Sequence, residues 1–90
     1  TDHRNARELA RGIVDLEGLT VIEPESNMVL VHLDPALATA DRWIEAGLEQ
    51  GVGCSDVGPN SVRYVTHRDV SGADIEVAID RIDTAHASLR

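Results

Sequence analysis

Ninety residues, 16 acidic against 8 basic for a net charge of −8, with 42% hydrophobic content and no Phe, describe one small domain with an aliphatic core. The acidic balance argues against a nucleic-acid footprint and against docking on anionic membranes, no apolar run approaches membrane-spanning length, and the lone Cys54 excludes an intrachain disulfide. All the basic residues are arginine, so chemistry that needs a lysine imine cannot be completed by these residues alone. Dense Asp and Glu without Lys is also the composition expected of a protein adapted to high salt, where screening relieves self-repulsion.

Along the chain, Ala6, Leu9, Ala10 and Ile13 recur at the spacing of one helix face, predicting a helix over Asp2 to Asp15 with Thr1 or Asp2 as cap. There is no signal peptide in Thr1-Asp2-His3-Arg4-Asn5 and no initiator Met, so a piece of a longer protein is expected. Gly18 marks a break, Leu19 to Ile22 a short strand, and Glu23-Pro24-Glu25 its end. The continuous apolar run Met28 to Leu33 predicts a central strand covered on both faces, or covered on one by another domain.

Asp34-Pro35 has the form of a helix start, predicting a helix from about Ala36 to Gln50. Its expected buried stripe is Leu37, Ala40, Ile44 and Leu48, with Trp43 beside it and Gly51 as the stop. Val52 to Asp56 is a strand candidate, Gly58-Pro59-Asn60 a turn, and Ser61 to Thr66 a further strand. Ser71-Gly72-Ala73-Asp74 resembles a capping box opening a last helix with Ile75, Ala78, Ile79, Ile82 and Ala85 on one face. The expected fold is therefore α+β, in the order α-β-β-α-β-β-α: a small, mainly antiparallel sheet of three or four strands with helices on one face. A single domain spans residues 1–90, with no repeat or linker.

Arg63 is flanked by Val62, Tyr64 and Val65, so it is expected to reach out of a packed sheet rather than to lie on a solvated face. A guanidinium placed there is a planar fork for a carboxylate. The alternative is a pairing with an acidic neighbour of the chain, Glu76 or Asp69.

The segment Arg63-Tyr64-Val65-Thr66-His67-Arg68-Asp69-Val70-Ser71, followed by Ala73-Asp74-Ile75-Glu76, resembles the C-terminal signature of the pyridoxal-phosphate-dependent threonine aldolases. These are beta-eliminating lyases of the aspartate-aminotransferase-like superfamily. Asp2 to Gly12 resembles the helix leading into the family's small domain, Ser26-Asn27-Met28-Val29 its Thr-Asn-Ile-Val strand opening with Ser in place of Thr, and Gly51-Val52 its turn after the middle helix. The resemblance runs over essentially the whole chain, and its specific part is the Arg-x-Val-Thr-His segment.

The resemblance implies a C-terminal small domain whose large, lysine-bearing partner domain lies outside these residues. That large domain carries the pyridoxal phosphate. The family cleaves β-hydroxy-α-amino acids, chiefly threonine, to glycine and an aldehyde. Its members are usually homotetramers, and a cytoplasmic setting is expected. The small domain supplies an arginine for the substrate α-carboxylate, and Arg63 is the matching position. Asn27 and Thr66 are site-adjacent candidates beside plain turn roles. His67 is a candidate acid or base, against the commoner role of shaping the turn after the strand.

Other constellations are weak. His3, His32, His67 and His86 lack metal-ligand spacing, so no metal site is expected. Ser61, His67 and Asp69 are the residue types of a triad but only near in sequence. Gly51-Val52-Gly53 lacks a third glycine at Asp56 for a phosphate cradle. A different class of function, a stand-alone amino-acid-sensing or oligomerisation module, remains open on fold alone. Such a module should be polar all round or form a symmetric dimer, whereas a docked small domain should expose an apolar patch.

Overall fold

In the computed structural model, which describes residues 2–24, 26–65 and 75–90, the chain forms three helices and four strands in the expected order. They are α1 (Asp2–Ile13), β1 (Leu19–Ile22), β2 (Met28–Leu33), α2 (Ala40–Glu49), β3 (Ser55–Gly58), β4 (Ser61–Val65) and α3 (Ile75–Ser88). The fold is α+β. The strands make one antiparallel sheet in the order β1-β2-β4-β3. Two hairpins, β1–β2 and β3–β4, are joined through α2, which sets β4 beside β2 at the centre of the sheet.

Burial alternates along β2, with Val29, Val31 and Leu33 buried and Met28 and His32 exposed. The register matches Val29 with Tyr64 and Val31 with Val62, so the buried positions of both central strands fall on one face. Leu9 and Ile13 of α1, Trp43 of α2 and Ile82 of α3 close over that face and form the core with it. Burying an aliphatic or aromatic side chain of this kind contributes about 1.5–3 kcal/mol. The run Met28–Leu33 is therefore covered on one face by the domain's own helices, and its apolar continuity reflects Met28 and Leu30 on the other.

Three boundaries differ from expectation. Asp34 does not open the long helix. Its Oδ1 accepts from the Ala36 N–H at 2.9 Å and its carbonyl accepts from Leu37 and Ala38, giving one isolated turn. α2 starts at Ala40, where the Thr39 side chain caps the Arg42 N–H at 3.3 Å. This later start rotates the helix, so its buried side is Ala40, Trp43, Ala46 and Gly47, while Ile44 is half-buried and Leu48 is 60% exposed. Trp43 thus belongs to the core rather than beside it. α1 ends at Ile13, two residues early.

The third difference is β3, which begins at Ser55 instead of Val52. Gly51, at φ 82°, ends α2, and the Val52 N–H turns back to the Gly47 carbonyl at 2.9 Å. Val52 is spent on that helix cap and is buried there, which delays the strand. The tight turn is then Pro59-Asn60, with Gly58 paired to Ser61. It is bolted to the start of α2: the Ala40 N–H donates to the Pro59 carbonyl at 2.9 Å and Asn60 Nδ2 to the Ala38 carbonyl at 3.3 Å. The proposed capping box at Ser71–Asp74 and the Thr1 cap lie outside the described residues.

Candidate functional site

Strand alternation sends Thr20, Ile22, Met28, Leu30, His32, Ser55, Ser61, Arg63 and Val65 to the side of the sheet away from the helices. None of these nine is Asp or Glu, although 16 of the chain's 90 residues are. The face is apolar at Ile22 and Met28, which are 42% and 43% exposed, and at the half-buried Leu30. Among the described strand residues it holds one permanent positive charge, Arg63.

Arg63 lies in the row Ile22–Leu30–Arg63–Ser55 across all four strands. Its neighbours on the chain, Val62 and Tyr64, point the other way into the core. Tyr64 is anchored there by the indole N–H of Trp43, which donates to its Oη at 2.9 Å. The base of Arg63 is therefore set by a buried strand, while its guanidinium is exposed. Among the described residues it makes no ion pair; the three that form are Arg4–Glu8, Arg7–Glu23 and Arg90–Glu17. Glu76 belongs to α3, on the helical side of the sheet, and is not its partner. Asp69 lies outside the described residues.

The next row is Thr20–His32–Ser61. Here His32 Nδ1 and Ser61 Oγ are hydrogen-bonded at 2.7 Å, exposed on the same face. Sequence reasoning counted His32 only as one of four scattered histidines. The only signal for its pairing was the register of two strands 29 residues apart, which no local pattern carries.

The other site candidates fall as follows. Asn27 is half-buried just before β2, at the end of the sheet where β4 runs out at Val65. It neighbours the Arg63 rows, but its place in the alternation is that of Val29 and Val31. Thr66 and His67 lie outside the described residues. His3 and His86 are tied to carbonyls far from the open face, those of Pro24 at 3.0 Å and Glu17 at 2.7 Å.

Among the described residues, hollows also lie elsewhere. One of about 330 Å³ is lined by Glu17, Asp34, Leu37 and Arg90. One of about 480 Å³ runs along α1 beside His3, Arg4, Arg7 and Arg11. Another of about 480 Å³ lies between Thr39, Asp41, Asp56 and Pro59. In the first, Arg90 is already paired with Glu17 at 3.5 Å, and the third has two carboxylates with no base among its lining residues. Along α1, Arg4 and Arg7 are paired with Glu8 and Glu23, as on a solvated helix face. Arg63 is without an ion partner among the described residues and rises from a central strand, as Arg11, Arg42 and Arg81 do from helices.

Among the described residues, no helix is long and apolar enough to cross a membrane. Compared with known proteins, the chain matches no family model and no curated sequence.

Proposed function

We propose that this chain is the small domain of a threonine-aldolase-type lyase and that Arg63 grips the α-carboxylate of a β-hydroxy-α-amino acid. The observation that carries the proposal is the position of Arg63: exposed, on a central strand, on a face whose described strand residues include no acidic side chain, and with no ion partner among the described residues. The resemblance of its surrounding segment to the aldolase signature supplies the reaction. The exposed apolar residues Ile22 and Met28 fit a face that a large domain of the same protein would cover. A homotetrameric, cytoplasmic assembly belongs to the same proposal.

These 90 residues do not fit the covalent anchor of pyridoxal phosphate, because they include no lysine. The cofactor and its lysine belong, in this proposal, to the large domain. The chain's own share is binding and orientation. Two parallel N–H donors from one guanidinium fix the plane of a carboxylate as well as its position, which a lysine charge would not do. Fixing that plane determines which bond at the substrate Cα is presented to the reacting group. Leu30, directly across from Arg63 on β2 and half-buried, is the apolar neighbour of that clamp.

The test uses the native polypeptide that contains this chain. Visible absorption is recorded before and after threonine is added, and released glycine is measured. A cofactor band that responds to threonine, with glycine formed, supports the proposal. A colourless protein unchanged by threonine overturns it, and an amino-acid-sensing or oligomerisation module takes its place.

A further inference from the structure

We propose that His32, positioned by Ser61, is a second donor to the carboxylate held by Arg63. The inference rests on the assignment of the open face as a carboxylate site and names a further residue of that site. Leu30 pairs with Arg63 and His32 with Ser61, so His32 and Arg63 are diagonal neighbours on adjacent central strands and share a face. Diagonal neighbours stand about 7–8 Å apart at the backbone, within reach of long side chains. Ser61 is two residues from Arg63 on the same strand and completes the group.

The 2.7 Å hydrogen bond uses His32 Nδ1 and leaves Nε2 as the ring's other polar atom. When the Ser61 hydroxyl donates to Nδ1, Nε2 carries the proton and is a donor. In the imidazolium both nitrogens donate and Ser61 Oγ accepts. Both states present an N–H at Nε2, and a bound carboxylate favours both over the remaining tautomer. Among the nine described strand residues of this face there is no acidic side chain to compete for that donor. Arg63 then supplies the permanent charge and His32 a directional contact, so a carboxylate bridging them is held at two points on two strands.

The test is a titration of the ¹⁵N-labelled native polypeptide that contains this chain with threonine and, separately, with threoninamide, following the Arg63 guanidinium and His32 imidazole signals. The expected result is that both signals move along one isotherm with threonine and not with the amide, which lacks the carboxylate. His32→Leu should weaken threonine binding about three- to tenfold, the worth of one hydrogen bond. Ser61→Ala, which frees the ring, should weaken it less. His32 is exposed, so neither substitution disturbs the core. If the Arg63 signal moves and the His32 signal does not, or if His32→Leu binds as tightly as the parent, the inference is overturned and the Arg63 clamp stands. If neither signal moves, the carboxylate site falls as a whole.

Discussion

Trp43 and Tyr64, the chain's only large aromatic residues, are hydrogen-bonded to each other in the core, with Trp43 Nε1 donating to Tyr64 Oη at 2.9 Å. Both are about 1% exposed. The bond ties α2 to the strand that carries Arg63, so the stability of the fold and the placement of the site share one contact.

Tyr64→Phe removes the acceptor while keeping the ring, and strands a buried indole N–H. The expected cost is about 1–3 kcal/mol, a fall of several degrees or more in the melting temperature of a domain this size. Thermal unfolding followed by Trp43 fluorescence measures it, and an unchanged melting temperature would show that the indole finds another acceptor.

Arg63→Gln should leave stability within about 0.5 kcal/mol of the parent, since the side chain is exposed and unpaired among the described residues. In the full-length protein it should cost about 2–5 kcal/mol of substrate binding and positioning, roughly thirty- to several-thousand-fold in kcat/KM. Arg63→Lys should recover only part of that, because it restores the charge and not the fork. A large loss of stability in Arg63→Gln would instead make this arginine structural.

His86 is 3% exposed, meets Trp43 edge-on with ring centroids 6.3 Å apart, and reaches the Glu17 carbonyl at 2.7 Å. A carbonyl can only accept, so Nε2 carries the proton. The contact fastens α3 to the connection between α1 and β1. His86→Ala removes both the donor and the packing, with an expected loss of about 2–4 kcal/mol from the cavity and the stranded carbonyl. Urea unfolding of the two proteins gives the difference directly.

Gly12 of α1 packs against Ile79 of α3: a Cβ there would lie 2.3 Å from Ile79 Cδ1 and 2.6 Å from Cγ1. Alanine gains about 1 kcal/mol of helix propensity over glycine, but overpacking of this kind costs about 1–3 kcal/mol. Gly12→Ala should therefore destabilise the chain slightly. Paired with Ile79→Ala it should show a favourable coupling, because the second change removes the obstructing atoms. Additive effects in the double-mutant cycle would mean that Ile79 simply swings aside.

Leu48→Gln should shift stability by less than about 0.5 kcal/mol, as the side chain is mostly exposed. Leu9→Ala, at a fully buried position, should cost about 2–5 kcal/mol. Equal costs for the two in chemical unfolding would contradict the rotation assigned to α2.

Much of this was legible in local pattern. The alternation Val62-Arg63-Tyr64 implied an arginine turned away from the core, and Arg63 is so placed, but it is exposed rather than held off a solvated face, because the domain's helices cover only the opposite side of the sheet. The 3.6-residue spacing of Ala6, Leu9, Ala10 and Ile13 named the buried face of α1. The errors came where local signals competed. Asp34-Pro35 and Thr39 are both able to start a helix, and the hydrogen bonds from the Pro59-Asn60 turn to the segment before α2 accompany the later start. Val52 suited either a strand or the cap that ends α2, and burial against the core went with the cap.

The class of fold, the order of its elements, the outward direction of Arg63 and the lack of any lysine could all be read along the chain, because periodicity and composition are local properties. That β4 lies beside β2, that His32 meets Ser61 across 29 residues, and that the described strand residues of one sheet face include no carboxylate emerge only once the strands are assembled. Those depend on strand register, which is set by how whole faces bury against the helices rather than by any short stretch of residues.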